Sequence, residues 1–194
     1  SIEGVFREKI SILKHADLAI LNADDSYAGR LRRESPAEVV TFGYKNSADV
    51  SARNVCIDNH GKPKFHLQFD NQDVEEIHLP CAGAHNISNA LAAACVGKWA
   101  GLSHQEIRIG LENFSPPEMR LQWIELDYFN VINDAYNSNP NSARVALDML
   151  SNTYTKGKRI AVLGDMLELG AQAPQLHFEV GQYIRPNVQA LITV

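Results

Sequence analysis

One loop of this sequence concentrates side chains that can bind a polar ligand. The stretch VINDAYNSNPNSARVALDML, residues 131–150, places Asn133, Asp134, Asn137 and Asn139 directly after an apolar run. Asparagine is disfavoured in strands and average in helices, so secondary structure alone does not explain this pattern. A carboxylate beside the free N–H groups of a following helix suits an anion or a ribose hydroxyl. An Asn-rich turn that ends in a helix N-cap explains the same residues, and both interpretations remain open.

A pair of asparagines in GAHNISNALAAA forms a second candidate site. Asn86 and Asn89 are three residues apart, so they share one face if this segment is helical. Each amide both donates and accepts hydrogen bonds, which suits recognition of a purine edge. Capping of the helix by Asn86, with Asn89 in solvent, accounts for the same residues without a ligand.

Two acidic residues and a histidine near the end of the chain form a third candidate site. Asp165 and Glu168, in GDMLELG, follow a predicted buried strand, and ligands of α/β proteins bind at the carboxyl ends of strands. Loop solvation and helix capping explain these acids equally well. His177, on the next predicted helix, is either a ligand contact or a packing residue. Lys9 has, by itself, the pattern of an ordinary surface lysine.

The elements that must position these residues begin with short strands. Turn signals separate four strand-like runs at 17–22, 38–43, 64–69 and 74–80, and a helix precedes the first run. An Ala-rich helix follows from His85, with Gly101 in the C′ position. The capping box SHQE, residues 103–106, then opens a second helix that ends near Phe114.

The pattern changes at SPPEMR, residues 115–120, because two prolines cannot continue a helix. We place a domain boundary there. Six elements are predicted beyond it: the two strands of a hairpin, LQWIEL and FNVIND, a helix capped by Asn139-Pro140, a buried strand 158–164, a helix 174–184 and a strand 188–194. This alternation favours a parallel α/β sheet. The sequence stops inside the last strand, so we expect a chain that is cut at its C-terminal end.

Composition narrows the class of function. The chain has 18 Lys+Arg against 23 Asp+Glu and no long basic cluster, which argues against nucleic-acid binding. The longest apolar run, near residues 90–96, is too short to cross a bilayer, and no signal-peptide pattern opens the chain. The cysteines lack CxxC spacing and the histidines lack HExxH spacing, which argues against a disulfide scaffold or a zinc site. We expect a cytoplasmic protein without membrane insertion.

Three segments together resemble the Mur ligase family. They are GAHNISNALAAACVGKWAGLS, INDAYNSNPNSARVALDML and RIAVLGDMLELG, and they occur in the order and spacing of that family. The second and third segments are similar to the branch that adds D-alanyl-D-alanine, because sister ligases carry a different loop at the second position. The resemblance covers nearly the whole chain and is weakest between residues 44 and 80.

The resemblance implies an amide-bond ligase of peptidoglycan synthesis that uses ATP and Mg²⁺. Its substrates would be UDP-N-acetylmuramoyl-tripeptide and D-Ala-D-Ala, joined through an acyl phosphate. The implied fold is α/β: residues 1–116 correspond to the end of a P-loop-type central ATPase domain, and residues 117–194 to the first half of a Rossmann-like C-terminal domain. The 194 residues contain no GxxxxGK[ST] loop, so we expect this internal fragment to be inactive alone.

The resemblance also assigns roles to residues in these motifs. The implied nucleotide contacts are Asn86, Asn89, Arg120, Asp134, Tyr136 and Asn137. In the family, the asparagine pair lies at adenine, the aspartate at the ribose and phosphates, and the arginine near an interdomain hinge. Lys9 falls where the family carries a carbamylated lysine that helps to hold Mg²⁺, so the implied catalytic set is Lys9, Arg120 and Asp134. Asp165 and Glu168 would face the incoming dipeptide.

Two alternatives remain at this stage. One is a different amino-acid ligase of the superfamily, such as a folylpolyglutamate-type enzyme, although the YNSNP and GDMLELG loops count against it. The other is a non-catalytic nucleotide-binding module that kept the fold without a phosphate loop. Substrate profiling separates the first alternative, and the coding sequence upstream of Ser1 separates the second.

Overall fold

The computed structural model describes residues 2–70, 72–184 and 188–194. Within these residues it contains six α-helices and nine strands. The helices are α1 (Ile2–Leu13), α2 (Ala28–Glu34), α3 (His85–Trp99), α4 (His104–Glu112), α5 (Pro140–Asn152) and α6 (Ala173–Gln182). The strands are β1 (Leu18–Asn22), β2 (Glu38–Gly43), β3 (Val50–Ile57), β4 (Pro63–Phe69), β5 (Gln72–His78), β6 (Gln122–Glu125), β7 (Asn130–Asn133), β8 (Ile160–Leu163) and β9 (Ala190–Thr193).

The chain forms two compact units. The first consists of Ser1–Cys56, Pro63–Pro80 and Ala84–Phe114. The second consists of Ile57–Lys62, Cys81–Gly83 and Ser115–Val194. None of the helices in the described part of the chain is both long enough and apolar enough to cross a membrane.

The first unit is built on a five-stranded mixed sheet in the order β1-β2-β3-β4-β5. β2 pairs in parallel with both β1 and β3, whereas β4 and β5 are antiparallel. Helix α3 packs against β1 and β2, and its buried Ile87 and Leu91 lie in a core with Phe65, Leu67 and Ile77. The core is the expected consequence of alternating apolar residues in β4 and an apolar helix face above the sheet.

The sequence patterns located most elements of this unit and missed two. The four predicted strands correspond to β1, β2, β4 and β5, and the capping box of α4 at Ser103 is confirmed by reciprocal hydrogen bonds with Glu106. Strand β3 and the short helix α2 were not predicted. Only the first three residues of β3 are buried, so the strand lacks the alternating pattern that signals a half-buried strand.

The second unit contains two small sheets and two helices. β6 and β7 form the predicted antiparallel hairpin, and β8 and β9 form a parallel pair. A core cluster joins Ala143 and Leu147 of α5, Ala161 of β8, Val180 of α6 and the loop residue Met166. Helix α5 begins as predicted, with Asn139 at the N-cap and Pro140 next to it.

The prediction that the strand 158–164 is buried was wrong. Only Ala161 of β8 is buried, while Ile160 is 48% and Val162 is 61% exposed. All four residues of β9 are exposed as well. An apolar strand run cannot distinguish burial on both faces from burial on one, because that depends on what covers the sheet.

Candidate functional site

The strongest candidate site lies in the second unit, where Arg120, Asp134 and Tyr136 come together. The Arg120 guanidinium carbon is 4.2 Å from the centre of the Tyr136 ring, a cation–π distance. The Asp134 carboxylate accepts a hydrogen bond of 3.0 Å from the backbone N–H of Leu121. Arg120 is exposed and Tyr136 is 63% exposed. A cation, a half-buried carboxylate and an aromatic face therefore lie together at the end of β7.

The backbone on either side of Arg120 is unusual. Met119 and Leu121 both have left-handed φ values, 57° and 47°, although neither is glycine. A left-handed conformation costs free energy in a residue other than glycine, and it persists only where neighbouring contacts stabilise it. Two contacts from the loop after β7 do so here: the Asp134 carboxylate binds the Leu121 N–H, and the Tyr136 N–H donates to the Met119 carbonyl at 3.2 Å. The loop after β7 thus holds the backbone on both sides of Arg120.

The asparagines of this loop divide into two groups. Asn133 accepts from the N–H of Ala135 at 3.3 Å, and Asn139 accepts from the N–H groups of Asn141 and Ser142 at 3.0 Å. These two side chains hold a turn and cap α5. Asn137 is exposed, and its side chain makes no hydrogen bond within the part of the chain that the structure describes. The structural explanation therefore accounts for Asn133 and Asn139 and does not account for Asn137.

The Asn86–Asn89 pair lies in the first unit, in the first turns of α3. The Asn89 amide donates to the Asn86 side-chain oxygen at 3.0 Å, so the predicted shared face is confirmed. The alternative in which Asn86 caps the helix is wrong: the helix begins at His85, and its N-cap, Ala84, provides no side-chain bond. This hydrogen bond orients the two amide groups relative to one another.

The loop between β8 and the 3₁₀ turn Gly170–Gln172 carries Asp165 and Glu168. Both acids are exposed, and Glu168 has a left-handed φ of 62°. His177 of α6 lies beneath the loop and is hydrogen-bonded to the backbone N–H of Met166 at 2.9 Å. His177 is therefore a hydrogen-bonded contact of this loop, which neither of its sequence interpretations specified.

Lys9 lies on the exposed side of α1. Among the described residues, no three His, Cys, Asp or Glu side chains form a group that could hold a metal ion. Mg²⁺ prefers six oxygen ligands, and Lys9 supplies oxygen only if its amine is carbamylated. The described residues therefore do not assemble a magnesium site by themselves.

Two other features do not extend the site. A cavity of about 100 Å³ is lined by residues 44–48 and 51–53, and it includes none of the predicted site residues. Burial raises the pKa of the Cys95 thiol to about 12. This thiol is therefore not a nucleophile at neutral pH.

Comparison with known proteins identifies the family. Residues 1–97 match the Mur ligase middle domain, and residues 119–194 match the Mur ligase glutamate ligase domain. The chain belongs to the Mur ligase family. The second match contains the Arg120–Asp134–Tyr136 cluster and the 164–170 loop, and the first contains Lys9 and the Asn86–Asn89 pair.

Named relatives of this Mur ligase chain share one description. It is 35% identical over 200 residues to the UDP-N-acetylmuramoyl-tripeptide–D-alanyl-D-alanine ligase of Buchnera aphidicola, covering 100% of this chain and 43% of the relative. It is 34% identical over 188 residues to the Escherichia coli protein of the same name, covering 94% of this chain and 41% of the relative. The chain thus spans about two fifths of the length of these relatives.

Solved structures agree with the family assignment. A crystal structure of MurF from Acinetobacter baumannii superposes with a TM-score of 0.88 at 29% identity, covering 100% of this chain and 42% of that one. MurF from Thermotoga maritima, solved in complex with ADP, gives a TM-score of 0.77 at 19% identity, with 98% and 48% covered. At that identity the likeness shows the shared fold alone.

Sequence reasoning missed the backbone partners of the site. It named Arg120 and Asp134 separately, but it did not predict the hydrogen bond from Leu121 to Asp134. It also did not predict the left-handed residues beside Arg120. Glycine is the usual signal for a left-handed position, and neither Met119 nor Leu121 carries that signal.

Proposed function

We propose that the protein containing this chain is an ATP-dependent ligase that adds D-Ala-D-Ala to UDP-N-acetylmuramoyl-tripeptide in the cytoplasm. The observation that carries this proposal is the Arg120–Asp134–Tyr136 cluster at the end of β7. It offers a nucleotide a cation, a carboxylate and an aromatic face. The relatives named above, aligned over nearly all of this chain, supply the substrate class.

We further propose which part of the chain belongs to which domain and which ligand each part binds. Residues 1–116 form the later part of a P-loop-type ATPase domain, and residues 117–194 form the start of the Rossmann-like ligase domain. In the first, Asn86 and Asn89 bind the adenine edge through their paired amides. A carbamylated Lys9 would contribute an oxygen ligand to Mg²⁺.

In the second domain, Asp134 and Tyr136 would hold the ribose side of the nucleotide, with Asn137 beside them. One carboxylate oxygen of Asp134 already binds Leu121, which leaves the other oxygen for a hydroxyl. Arg120 would approach the phosphates, where its planar guanidinium can bind two oxygens at once. Asp165 and Glu168 would face the ammonium group of the dipeptide.

The proposed reaction has two steps. ATP supplies its γ-phosphoryl group to the tripeptide carboxylate, which gives an acyl phosphate and ADP. The D-Ala-D-Ala ammonium group then loses one proton, the free amine attacks the acyl carbon, the C–O bond to phosphate breaks, and a second proton leaves the nitrogen with hydrogen phosphate. Such chemistry depends on positioning and on electrostatic stabilisation more than on a covalent protein intermediate.

Phosphate release by the longest natural protein that contains this chain tests the proposal. We expect release only when ATP, Mg²⁺, UDP-N-acetylmuramoyl-tripeptide and D-Ala-D-Ala are all present. The 194-residue chain alone should release none, because it contains no phosphate-binding loop. Replacing both substrates, the tripeptide by a folate and D-Ala-D-Ala by glutamate, tests a folylpolyglutamate-type activity, since a solved folylpolyglutamate synthase shares the fold at 19% identity and a TM-score of 0.63. A folded protein that is silent with every acceptor would overturn the proposal.

A further inference from the structure

Both ring nitrogens of His177 are engaged by backbone groups of the second unit. Its Nδ1 atom is 2.8 Å from the carbonyl oxygen of Ala173, one turn earlier in α6. Its Nε2 atom is 2.9 Å from the backbone nitrogen of Met166 in the 164–170 loop. The imidazole therefore connects the start of α6 to the loop that carries Asp165 and Glu168.

These partners determine the protonation state of the ring. A carbonyl only accepts hydrogen bonds, so Nδ1 must carry the proton that faces Ala173. A backbone N–H only donates, so Nε2 must present a lone pair to Met166. The two contacts together require the Nδ1–H tautomer with an unprotonated Nε2. A proton on Nε2 would point at the Met166 N–H and break the contact with the loop.

The Asp165 carboxylate lies within ion-pair distance of the ring but does not form a hydrogen bond with it. The Asp165 Oδ1 atom is 3.7 Å from Nε2, which is beyond hydrogen-bond length. The Asp165 side chain is 83% exposed, whereas that of His177 is 35% exposed. A proton relay between the two residues would require His177 to release Met166, so the geometry supports a holding role for the ring.

In the 164–170 loop, residues that pack against the core alternate with exposed residues. The Met166 side chain is 5% exposed and belongs to the core, and Leu169 packs against the same core. Between and beside these anchors, Asp165, Leu167 and Glu168 are exposed. Glu168 has a φ of 62°, a conformation that costs free energy in a residue other than glycine. A fixed point on the preceding backbone is what keeps such a loop in one shape.

We propose that His177 is a positioning residue of the ligase: its neutral imidazole fixes the 164–170 loop so that Asp165 and Glu168 face the amine substrate. The substrate part of this inference rests on the proposed function. The holding role rests on the His177 geometry alone. The inference assigns no proton transfer to His177, because both of its nitrogens are occupied.

Nuclear magnetic resonance of the longest natural protein tests the holding role. Labelling with ¹⁵N-histidine should show the Nδ1–H tautomer for His177. Labelling with ¹⁵N-methionine reports on Met166, which is one of three methionines in this chain. We expect hydrogen exchange of the Met166 amide to accelerate about tenfold in His177→Phe, because its acceptor is lost. His177→Gln should restore part of the protection, since its amide oxygen can accept the same bond.

Steady-state kinetics of the same variants test the positioning role. We expect the KM for D-Ala-D-Ala to rise about tenfold in His177→Phe, as expected for the loss of one well-placed contact. The KM for ATP should stay within about twofold, and His177→Gln should recover most of the dipeptide affinity. The control is Gln182→Ala, at the exposed end of α6, which should change neither constant.

The outcomes separate this inference from the proposed function. An Nε2–H tautomer in the wild-type protein, or Met166 exchange that His177→Phe leaves unchanged, overturns the holding role. Equal effects on the KM values of both substrates overturn the positioning role in favour of general structural damage. Absence of any D-Ala-D-Ala-dependent phosphate release overturns the proposed function and the substrate half of the inference, while the exchange result still decides the holding role.

Discussion

At the scale of single residues, Asp134 has two properties that substitution can separate. One oxygen holds the backbone of Leu121, and through it the left-handed turn beside Arg120. The negative charge is a different property, because a neutral amide oxygen can accept the same hydrogen bond. If Asp134 only supports the turn, an amide should replace it. If it also binds the nucleotide, the charge itself matters.

We expect Asp134→Asn to keep the free energy of unfolding within about 0.5 kcal/mol of wild type. Asp134→Ala should lower it by about 1 kcal/mol, because the Leu121 N–H loses its acceptor. Both variants should reduce ligase activity about tenfold or more. Urea unfolding and phosphate release in the longest natural protein measure the two quantities. Full activity in Asp134→Asn would reduce Asp134 to a structural residue.

At the scale of elements, helix α5 shows how one loop combines structure with a site. The side-chain oxygen of its N-cap, Asn139, accepts hydrogen bonds from the N–H groups of Asn141 and Ser142. The Ser142 hydroxyl oxygen in turn accepts a hydrogen bond from the Asn139 N–H. This capping box satisfies the otherwise free N–H groups at the start of the helix. Asn137, two residues earlier, makes no such bond among the described residues. Substitutions of the two asparagines can therefore be compared, one at a residue that caps the helix and one at a residue that does not.

We expect Asn139→Ala to lower the free energy of unfolding by about 1 kcal/mol, the usual cost of losing an N-cap. Asn137→Ala should change it by less than about 0.5 kcal/mol, because the side chain is exposed and makes no bond. Asn137→Ala should instead raise the KM for ATP. Urea unfolding and ATP titration of both variants check this, and a reversed order of the two stability losses would contradict the capping geometry.

At the scale of the whole molecule, the second unit includes two short segments that lie far before the rest of that unit in the sequence. Residues 57–62 and 81–83 belong to it together with residues 115–194. His60 lies edge-on to Trp123, with ring centroids 5.5 Å apart and planes at 82°. Gly61 has a φ of 77°, and a side-chain carbon there would lie 3.4 Å from Met149. A side chain at position 61 would therefore make ordinary contact with Met149, and its cost would come from the left-handed φ.

We expect His60→Ala to lower the free energy of unfolding of this unit by about 0.5–1.5 kcal/mol, the contribution of one aromatic pair. The emission of Trp123 should shift to longer wavelength, because its ring loses a neighbour. Trp99→Phe in the background leaves Trp123 as the single tryptophan of the chain. The control is Asn59→Ala, an exposed neighbour. An unchanged emission spectrum in His60→Ala would show that this contact is absent in solution.

The sequence by itself determined most of the helices and strands, because their signals are local. The capping box at Ser103, the Asn139-Pro140 start of α5 and Gly101 after α3 act within one turn of the backbone. The motifs were sufficient for the family as well, which the matches over residues 1–97 and 119–194 confirm. For Asn86 and Asn89, helical spacing alone predicted the shared face that their hydrogen bond confirms.

Only the tertiary structure decided which of the described side chains bind backbone groups and which face solvent. Asn133, Asn137 and Asn139 look alike in sequence, yet two of them bind backbone groups and the third does not. The bond from Leu121 to Asp134 and that from Met166 to His177 join residues more than ten positions apart. Such bonds depend on how loops meet in space, and neither spacing nor composition specifies that. The one-sided exposure of β8 has the same origin, because burial is a property of the neighbours of a strand.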